Sequence, residues 1–189
     1  MKKVIILHGT NSNSKANWFP WLKHELEEPG ASVWVPDLPH PEKPNIQRYS
    51  KYILENAPWE FDRQTVIIGH SSGAVAILGP LHHLPRDIKV STCILVGSFK
   101  NDLGWKALNE LFLENLQFES IRQKADKFIF IHSNNDPYCP LEYAQYLADQ
   151  LHGELIIKEG QGHFSTEGNP KYRQFPFLLE LLQNWFFAE

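Results

Sequence analysis

The sequence predicts an α/β fold in which a parallel sheet is covered by helices on both faces. Three observations lead to this prediction. Short β-branched runs alternate with helical patterns along the chain, as is typical of parallel sheets with crossover helices. No internal repeat, low-complexity tract or long linker interrupts this alternation. The 189 residues, 42% of them hydrophobic and 21% charged, are enough for a single globular domain, 1–189, with a sizeable core.

The expected elements follow one another in chain order. Strands are expected near 4–7, 32–35, 65–68, 90–96, 128–132 and 154–157, and helices near 18–28, 46–56, 72–78, 105–124, 141–151 and 172–187. The first apolar run is too short for a signal peptide and ends at His8-Gly9, so we interpret it as a strand. Pro29-Gly30 ends the first helix, Pro58 ends the second, and Gly153 follows the fifth as a C-terminal cap signal.

Two segments exceed what this alternation needs. Residues 36–44 form a rigid proline-rich excursion after the second strand. Residues 99–125 are longer than one crossover requires, and their apolar residues recur at helical spacing. This spacing favours an amphipathic helix face packed on the core. The alternative is a small lid that covers the site and lines an apolar pocket.

Composition excludes several classes of function. The net charge of -4 and the absence of a lysine or arginine run argue against nucleic-acid binding, and no apolar stretch is long enough to span a membrane. The two cysteines, Cys93 and Cys139, occur without a secretion signal, which favours a reduced, cytoplasmic protein. Cys139 is a poor candidate nucleophile because it lacks a strand-turn-helix context and precedes a helix-starting proline. No histidine pair has metal-ligand spacing, so neither a metal nor another cofactor is expected.

A G-x-S-x-G pentapeptide, Gly69-His70-Ser71-Ser72-Gly73, lies between the third expected strand and the next helix. In this context the pattern predicts a nucleophile elbow; the alternative is a glycine-rich turn without chemistry. The nucleophile of an elbow has a strained backbone, so the residues two before and two after it must be nearly free of side chains. Gly69 and Gly73 meet this requirement for Ser71, but Ser72 would have a histidine and an alanine there. Ser71 is therefore the expected nucleophile, at a helix N-terminus that favours a developing negative charge.

Acyl transfer by a serine also needs a base and a carboxylate that orients the base. In an α/β-hydrolase these groups follow successive strands in the chain order serine, acid, histidine. His163, in a glycine-flanked loop after the last strand, is the expected base. Asp136, a few residues after the fifth strand, is the expected acid, and Asp102, after the fourth strand, is the alternative.

The oxyanion hole is expected to use two main-chain amides. One belongs to Ser72, the residue after the nucleophile, and the other to the loop after the first strand. That loop begins His8-Gly9-Thr10-Asn11, which favours Thr10 and leaves Asn11 as the alternative. We expect His8 to pack this loop beside the elbow.

Four motifs carry a resemblance: His8-Gly9-Thr10-Asn11, Gly69-His70-Ser71-Ser72-Gly73-Ala74, Asn135-Asp136-Pro137-Tyr138-Cys139-Pro140 and Gly160-Gln161-Gly162-His163-Phe164. Together they resemble the small serine hydrolases of the retinoblastoma-binding-protein-9 and YdeN-like family, over about residues 4–182. The resemblance implies a compact α/β-hydrolase with six core strands and a triad on Ser71, Asp136 and His163. For this fold we expect the strand order 2-1-3-4-5-6, with oxyanion donor and nucleophile facing one crevice between strands 1 and 3.

Two departures from the family pattern limit what the resemblance implies. Members often have a second acid before the triad aspartate, where this chain has Asn135. The L-x-C-x-E motif behind the retinoblastoma-binding name is absent, so binding to the retinoblastoma protein is not expected.

The sequence therefore predicts a cytoplasmic serine hydrolase that cleaves a small ester, thioester or amide through an acyl-enzyme. One alternative is an acyltransferase on the same triad, in which an alcohol or amine replaces water. The other is a protein-interaction module on a hydrolase fold that has lost its activity.

Overall fold

The computed structural model of the protein describes residues 1–183 and contains a six-stranded, all-parallel sheet. Its strands are β1 (Lys3–Leu7), β2 (Ser32–Trp34), β3 (Thr65–His70), β4 (Val90–Val96), β5 (Ala125–Ser133) and β6 (Glu154–Lys158). They are arranged in the order β2-β1-β3-β4-β5-β6. The α/β-hydrolase strand order expected from the sequence is therefore confirmed.

Helices cover both faces of the sheet. One face carries α1 (Phe19–Glu27) and α7 (Pro176–Leu182). The other face carries α2 (Ile46–Asn56), α3 (Ser72–Ala76), α4 (Leu78–His83), α5 (Phe118–Arg122) and α6 (Leu141–Leu151). Two 3-10 helices, Lys106–Leu111 and Pro170–Arg173, precede α5 and α7.

Side-chain alternation along the strands divides the core into two layers. On β1, Val4 and Ile6 pack toward α1 and α7, whereas Ile5 and Leu7 pack on the other face. Successive side chains of a strand point to opposite faces, and both faces of this sheet are covered. The central strands are therefore continuous hydrophobic runs rather than alternating ones.

The helix expected near 105–124 is wrong as a single element. The chain forms the 3-10 helix Lys106–Leu111 and then, after an extended residue at Gln117, the short helix α5. The two parts bury their apolar side chains in different places. Leu108 and Leu111 pack with Phe99 above the sheet, while Ile121 joins the main core. One straight helix would not reach both clusters.

Two other helices are also divided. The helix after the elbow is interrupted at Ile77, between α3 and α4. The last expected helix, 172–187, is divided between the 3-10 helix Pro170–Arg173 and α7, because Gln174 is extended and Phe175, ahead of Pro176, is not helical. Residues 184–187 of that expectation lie outside the described residues.

The chain adds β2 on one side of β1 and then adds β3 to β6 on the other side. The carboxyl ends of β1 and β3 therefore lie side by side at the point where this direction changes. Open α/β sheets bind ligands in the crevice at such a switch point. The loop after β1 and the turn after β3 both begin there, so the topology brings the two expected anion-stabilising segments together. Among residues 1–183, no helix combines the length and the apolar character that a membrane span requires.

Candidate active site

Ser71 lies in a sharp turn directly between β3 and α3, with φ 57° and ψ -125°. A non-glycine residue in such a sparsely populated region costs about 1–3 kcal/mol. The Ser71 amide donates to the carbonyl of Val96 on β4 over 2.8 Å, which holds the turn in place. A Cβ atom on Gly69 would lie 2.4 Å from the Gly73 carbonyl oxygen, and one on Gly73 would lie 2.4 Å from the Leu7 carbonyl oxygen. Both glycines are therefore required by close backbone contacts around Ser71.

Ser72 differs from Ser71 in its surroundings. Its side chain is buried, and its Oγ accepts a hydrogen bond from the Thr10 hydroxyl over 2.9 Å. Ser71, in contrast, lines a cleft with a volume of about 540 Å³. Of these two serines, Ser71 is thus the one that is presented to a molecule entering this cleft.

His163 and Asp136 form a closely bonded pair. His163 Nδ1 lies 2.7 Å from Asp136 Oδ2, and the Asp136 side chain is fully buried. The other carboxylate oxygen, Oδ1, accepts from the amides of Tyr138 at 2.9 Å and Cys139 at 3.0 Å. Because an ionised carboxylate only accepts, His163 donates from Nδ1 and keeps a lone pair on Nε2.

The pKa of Asp136 lies below the ordinary aspartate value. Burial by itself raises this pKa, but the hydrogen bond and charge interaction with His163 and the two amide hydrogen bonds outweigh it. Asp136 therefore stays ionised at neutral pH and is suited to stabilise a positive charge on His163.

His163 and Ser71 line the same cleft. Within the described residues no hydrogen bond joins the Ser71 hydroxyl to the His163 ring, so the direct contact expected from the sequence stays a prediction. Catalytic hydrogen bonds are often long in a hydrolase without substrate and shorten when substrate binds. The structure therefore brings the expected base, acid and nucleophile together, with the hydrogen bond between His163 and Asp136 already formed.

The loop after β1 lies against the elbow. A Cβ atom on Gly9 would lie 2.9 Å from the Ser71 Cβ, so only glycine permits this approach. The Asn11 amide donates to the Pro41 carbonyl over 2.9 Å and is not available for an oxyanion. In the described part of the chain, the amides of Thr10 and Ser72 donate to no protein acceptor. His8 is buried and bonded on both ring nitrogens, to the Gly9 carbonyl and the Leu38 amide, and so packs this loop as expected.

Three consecutive side chains after β5 hold the loop that carries His163. The Asn134 side-chain oxygen accepts from the Gly160 amide over 2.9 Å. The Ser133 hydroxyl accepts from the Gln161 amide over 2.9 Å, and the Asn135 side-chain oxygen accepts from the Gly162 amide over 2.8 Å. We name this set the loop clamp: Ser133, Asn134 and Asn135. Sequence reasoning noted Asn135 only as a missing acid and did not find the clamp.

His70 and Gly97 were also missed as parts of the site. His70 is buried beside the elbow, and its Nε2 donates to the His163 carbonyl over 2.7 Å. Burial, helped by the neighbouring His163, lowers the pKa of His70 to about 3, so its ring is neutral at pH 7. Gly97 has φ +62°, and a Cβ atom there would lie 3.1 Å from His163 Cε1. The available signals were a histidine inside the pentapeptide and a glycine directly after a strand.

The alternatives weighed from the sequence occupy other positions. The Asp102 carboxylate accepts from the Gly104 amide over 2.9 Å in a local turn, and His163 pairs with Asp136 instead. Cys139 is buried in the wall of the cleft, and burial raises its thiol pKa. Asp136, Cys139 and His163 place possible metal-ligand atoms within 4.8 Å of one another. Asp136 and His163 are already hydrogen-bonded to each other, and the raised pKa keeps the Cys139 thiol protonated, so this set is poorly suited to hold a cation.

The sheet order, the strained serine after β3 and the paired histidine and aspartate define the chain as an α/β-hydrolase. It belongs to the serine hydrolase family, whose model matches residues 4–184. This establishes the family and the enzyme class.

Individual relatives agree with the family assignment. The chain is 28% identical over 189 residues to YdeN of Bacillus subtilis, and the alignment covers 100% of this chain and 98% of YdeN. It is 28% identical over 169 residues to the serine hydrolase RBBP9 of Rattus norvegicus, and this alignment covers 87% of this chain and 88% of the relative. The crystal structure of the B. subtilis ydeN gene product superposes with a TM-score of 0.87 at 27% identity, over 100% of both chains. Est1E from Butyrivibrio proteoclasticus shares the fold, with a TM-score of 0.71 at 15% identity over 98% of this chain and 87% of its own.

Proposed function

We propose that this serine hydrolase cleaves a small ester, thioester or amide through an acyl-enzyme on Ser71, with His163 as the base and Asp136 as the carboxylate that orients it. One observation carries the proposal. His163 donates to the buried Asp136 carboxylate over 2.7 Å in the same cleft that the strained Ser71 lines. The bond fixes the histidine tautomer that a general base requires.

The reaction follows from this arrangement. Ser71 Oγ attacks the acyl carbon while its proton passes to His163 Nε2, and Asp136 stabilises the imidazolium that forms. His163 then returns the proton to the leaving oxygen, sulfur or nitrogen as that bond breaks. A water molecule repeats both steps on the acyl-enzyme and releases the acid.

The main-chain amides of Thr10 and Ser72 are the proposed donors to the negative charge that develops on the substrate oxygen. The side chains of these two residues are joined by a 2.9 Å hydrogen bond, which ties the two loops together. Each donor of an oxyanion hole contributes about 10²–10³-fold to turnover.

The cleft supports a small-molecule substrate, since its volume of about 540 Å³ lies within the usual range for such sites. Leu103, Trp105 and Leu108 line one side of it, so we assign to the first part of segment 99–125 the role of a cap on the site. We also propose a cytoplasmic location, because both Cys93 and Cys139 are free, buried thiols.

A fluorophosphonate probe tests the nucleophile. We expect rapid labelling of the wild-type protein, no labelling of Ser71→Ala, and retained labelling of the matched control Ser72→Ala. Circular dichroism of each variant shows whether the fold is intact. Labelling that survives Ser71→Ala, or a wild-type protein that does not label, would contradict the proposal and favour a non-catalytic role.

A further inference from the structure

One wall of the cleft is aromatic and lies against His163. The Tyr138 ring stands edge-on to the His163 ring with 5.1 Å between centroids, and the Trp105 ring stands edge-on to Tyr138 at 5.9 Å. Trp105 lines the cleft and is 49% exposed, so part of its ring is open to a molecule bound there. Glu167 completes this wall, because the Tyr138 hydroxyl donates to its Oε1 over 3.3 Å.

The wall has a definite charge. Among the described residues that line the cleft, Glu167 is the one carboxylate, and the lining includes no lysine or arginine. The Glu167 charge acts across the wall, since it is the main cause that raises the pKa of the Tyr138 hydroxyl. The faces of tryptophan and tyrosine rings also attract cations. An ammonium group here would be attracted by all three side chains, and a carboxylate or phosphate would be repelled.

The reaction indicates which part of the substrate meets this wall. His163 returns its proton to the leaving group, so the leaving group lies next to the His163 ring. Tyr138 contacts that ring directly, and Trp105 and Glu167 both contact Tyr138. These three side chains therefore surround the leaving group rather than the oxyanion, which lies at the loop after β1.

We propose that the leaving group of the substrate is a cationic alcohol or amine, held by Trp105, Tyr138 and Glu167. This inference rests on the proposed function of Ser71. Ser71 Oγ bonds to the acyl carbon as the bond to the cationic leaving group breaks, and the leaving atom takes the proton from His163. Water then cleaves the acyl-enzyme to the acid, so no further reactant is needed.

Three acetate esters that differ in charge test the proposal. Acetylcholine is cationic, 3,3-dimethylbutyl acetate is its neutral isostere, and the acetate ester of 3-hydroxypropionate is anionic. We expect kcat/KM for acetylcholine to exceed that for the neutral ester about 10-fold, the combined effect of exposed cation–π and ion-pair contacts. We expect the anionic ester to be the slowest. Equal values for the cationic and neutral esters overturn the proposal.

Variants show whether Glu167 is responsible. Glu167→Gln lowers the cationic-to-neutral ratio roughly 3-fold, as expected for one exposed charge pair. Glu55→Gln removes the same charge from α2, outside the cleft lining, and leaves the ratio unchanged. Added salt lowers the wild-type ratio, because exposed charges are screened. A ratio that is unaffected in Glu167→Gln overturns the assignment of the cation to this wall.

Protection of Ser71 from a fluorophosphonate probe gives a measure that does not depend on the acyl group. Choline slows labelling at lower concentrations than 3,3-dimethylbutanol if the wall binds a cation, and equal protection overturns the proposal. A wild-type protein that neither labels nor cleaves any ester counts against the proposed function itself. If Ser71 is labelled but the cationic and neutral esters react equally fast, the proposed function stands and only the cationic leaving group is refuted.

Discussion

Asn135→Ala tests whether the loop clamp positions the base. In the structure the Asn135 side-chain oxygen accepts from the Gly162 amide at 2.8 Å and from the Ser133 hydroxyl at 2.7 Å. Each such hydrogen bond contributes about 0.5–1.5 kcal/mol. Because Gly162 is partly exposed, water can replace the lost acceptor there, and we expect a loss of about 1–2 kcal/mol in the free energy of unfolding. For a protein of this size this corresponds to a decrease in Tm of roughly 2–8 °C.

Activity is the more specific readout. His163 follows Gly162 directly, so a loosened loop displaces the base, and small displacements of a catalytic group cost up to about 10²-fold in rate. We expect kcat on a nitrophenyl ester to fall about 10-fold, with a much smaller change in KM. Asn135→Asp is the matched control, because a carboxylate oxygen still accepts from the Gly162 amide. The reasoning is refuted if Asn135→Ala has the wild-type Tm and kcat, or if Asn135→Asp loses as much activity as the alanine variant.

Three further predictions concern the residues around His163. Asp136→Asn lowers kcat by about 10⁴-fold, as expected when the correct histidine tautomer is lost, and Asp102→Asn stays near wild type in the same assay. Gly97→Ala lowers kcat about 10-fold, because an alanine is strained at this positive φ and its Cβ would press on the His163 ring. An unchanged kcat would contradict the contact at Gly97. His70 makes the fold acid-sensitive, because its pKa is about 3 in the folded protein and about 6.5 when unfolded. As the pH falls below that unfolded value, only the unfolded chain gains this proton, so the free energy of unfolding drops by about 3 kcal/mol between pH 7 and pH 4. Urea titrations at both pH values should show a smaller drop for His70→Asn, and an equal drop would exclude this origin.

Local patterns predicted the parts of the fold that local physics determines. Each central strand is a short apolar run, since both faces of the sheet are covered, and the strand order is the one that the resemblance to α/β-hydrolases implies. Gly69 is required by a backbone contact with Gly73, only four residues away, whereas Gly73 is required by the Leu7 carbonyl of a strand distant in sequence and was indicated by the G-x-S-x-G pattern alone. The strand order and the serine hydrolase family are confirmed. The catalytic roles of Ser71, Asp136 and His163 stay predictions, which the geometry supports.

Other features depend on contacts that leave no trace in a short window of sequence. The loop clamp joins residues 133–135 to residues 160–162 through side-chain oxygens and main-chain amides. In the sequence, two consecutive asparagines indicate only a turn. The helix expected near 105–124 was wrong for a related reason. Apolar residues at helical spacing fit one long helix or two short ones equally well, and only the two separate clusters formed by Leu111 and Ile121 distinguish them.

The expected reactive groups and the apolar cap of the cleft come from different connections of the sheet. The proposed nucleophile follows β3, the proposed acid and base follow β5 and β6, and Leu103, Trp105 and Leu108 belong to the long connection after β4. That connection is anchored by Phe99 and Leu111 and contributes none of the proposed triad. Its rim residues can therefore be exchanged, by gene recombination or by loop grafting, while the reaction centre stays in place. For an enzyme engineer, the stretch between those two anchors is the natural region in which to randomise residues when a new substrate range is sought.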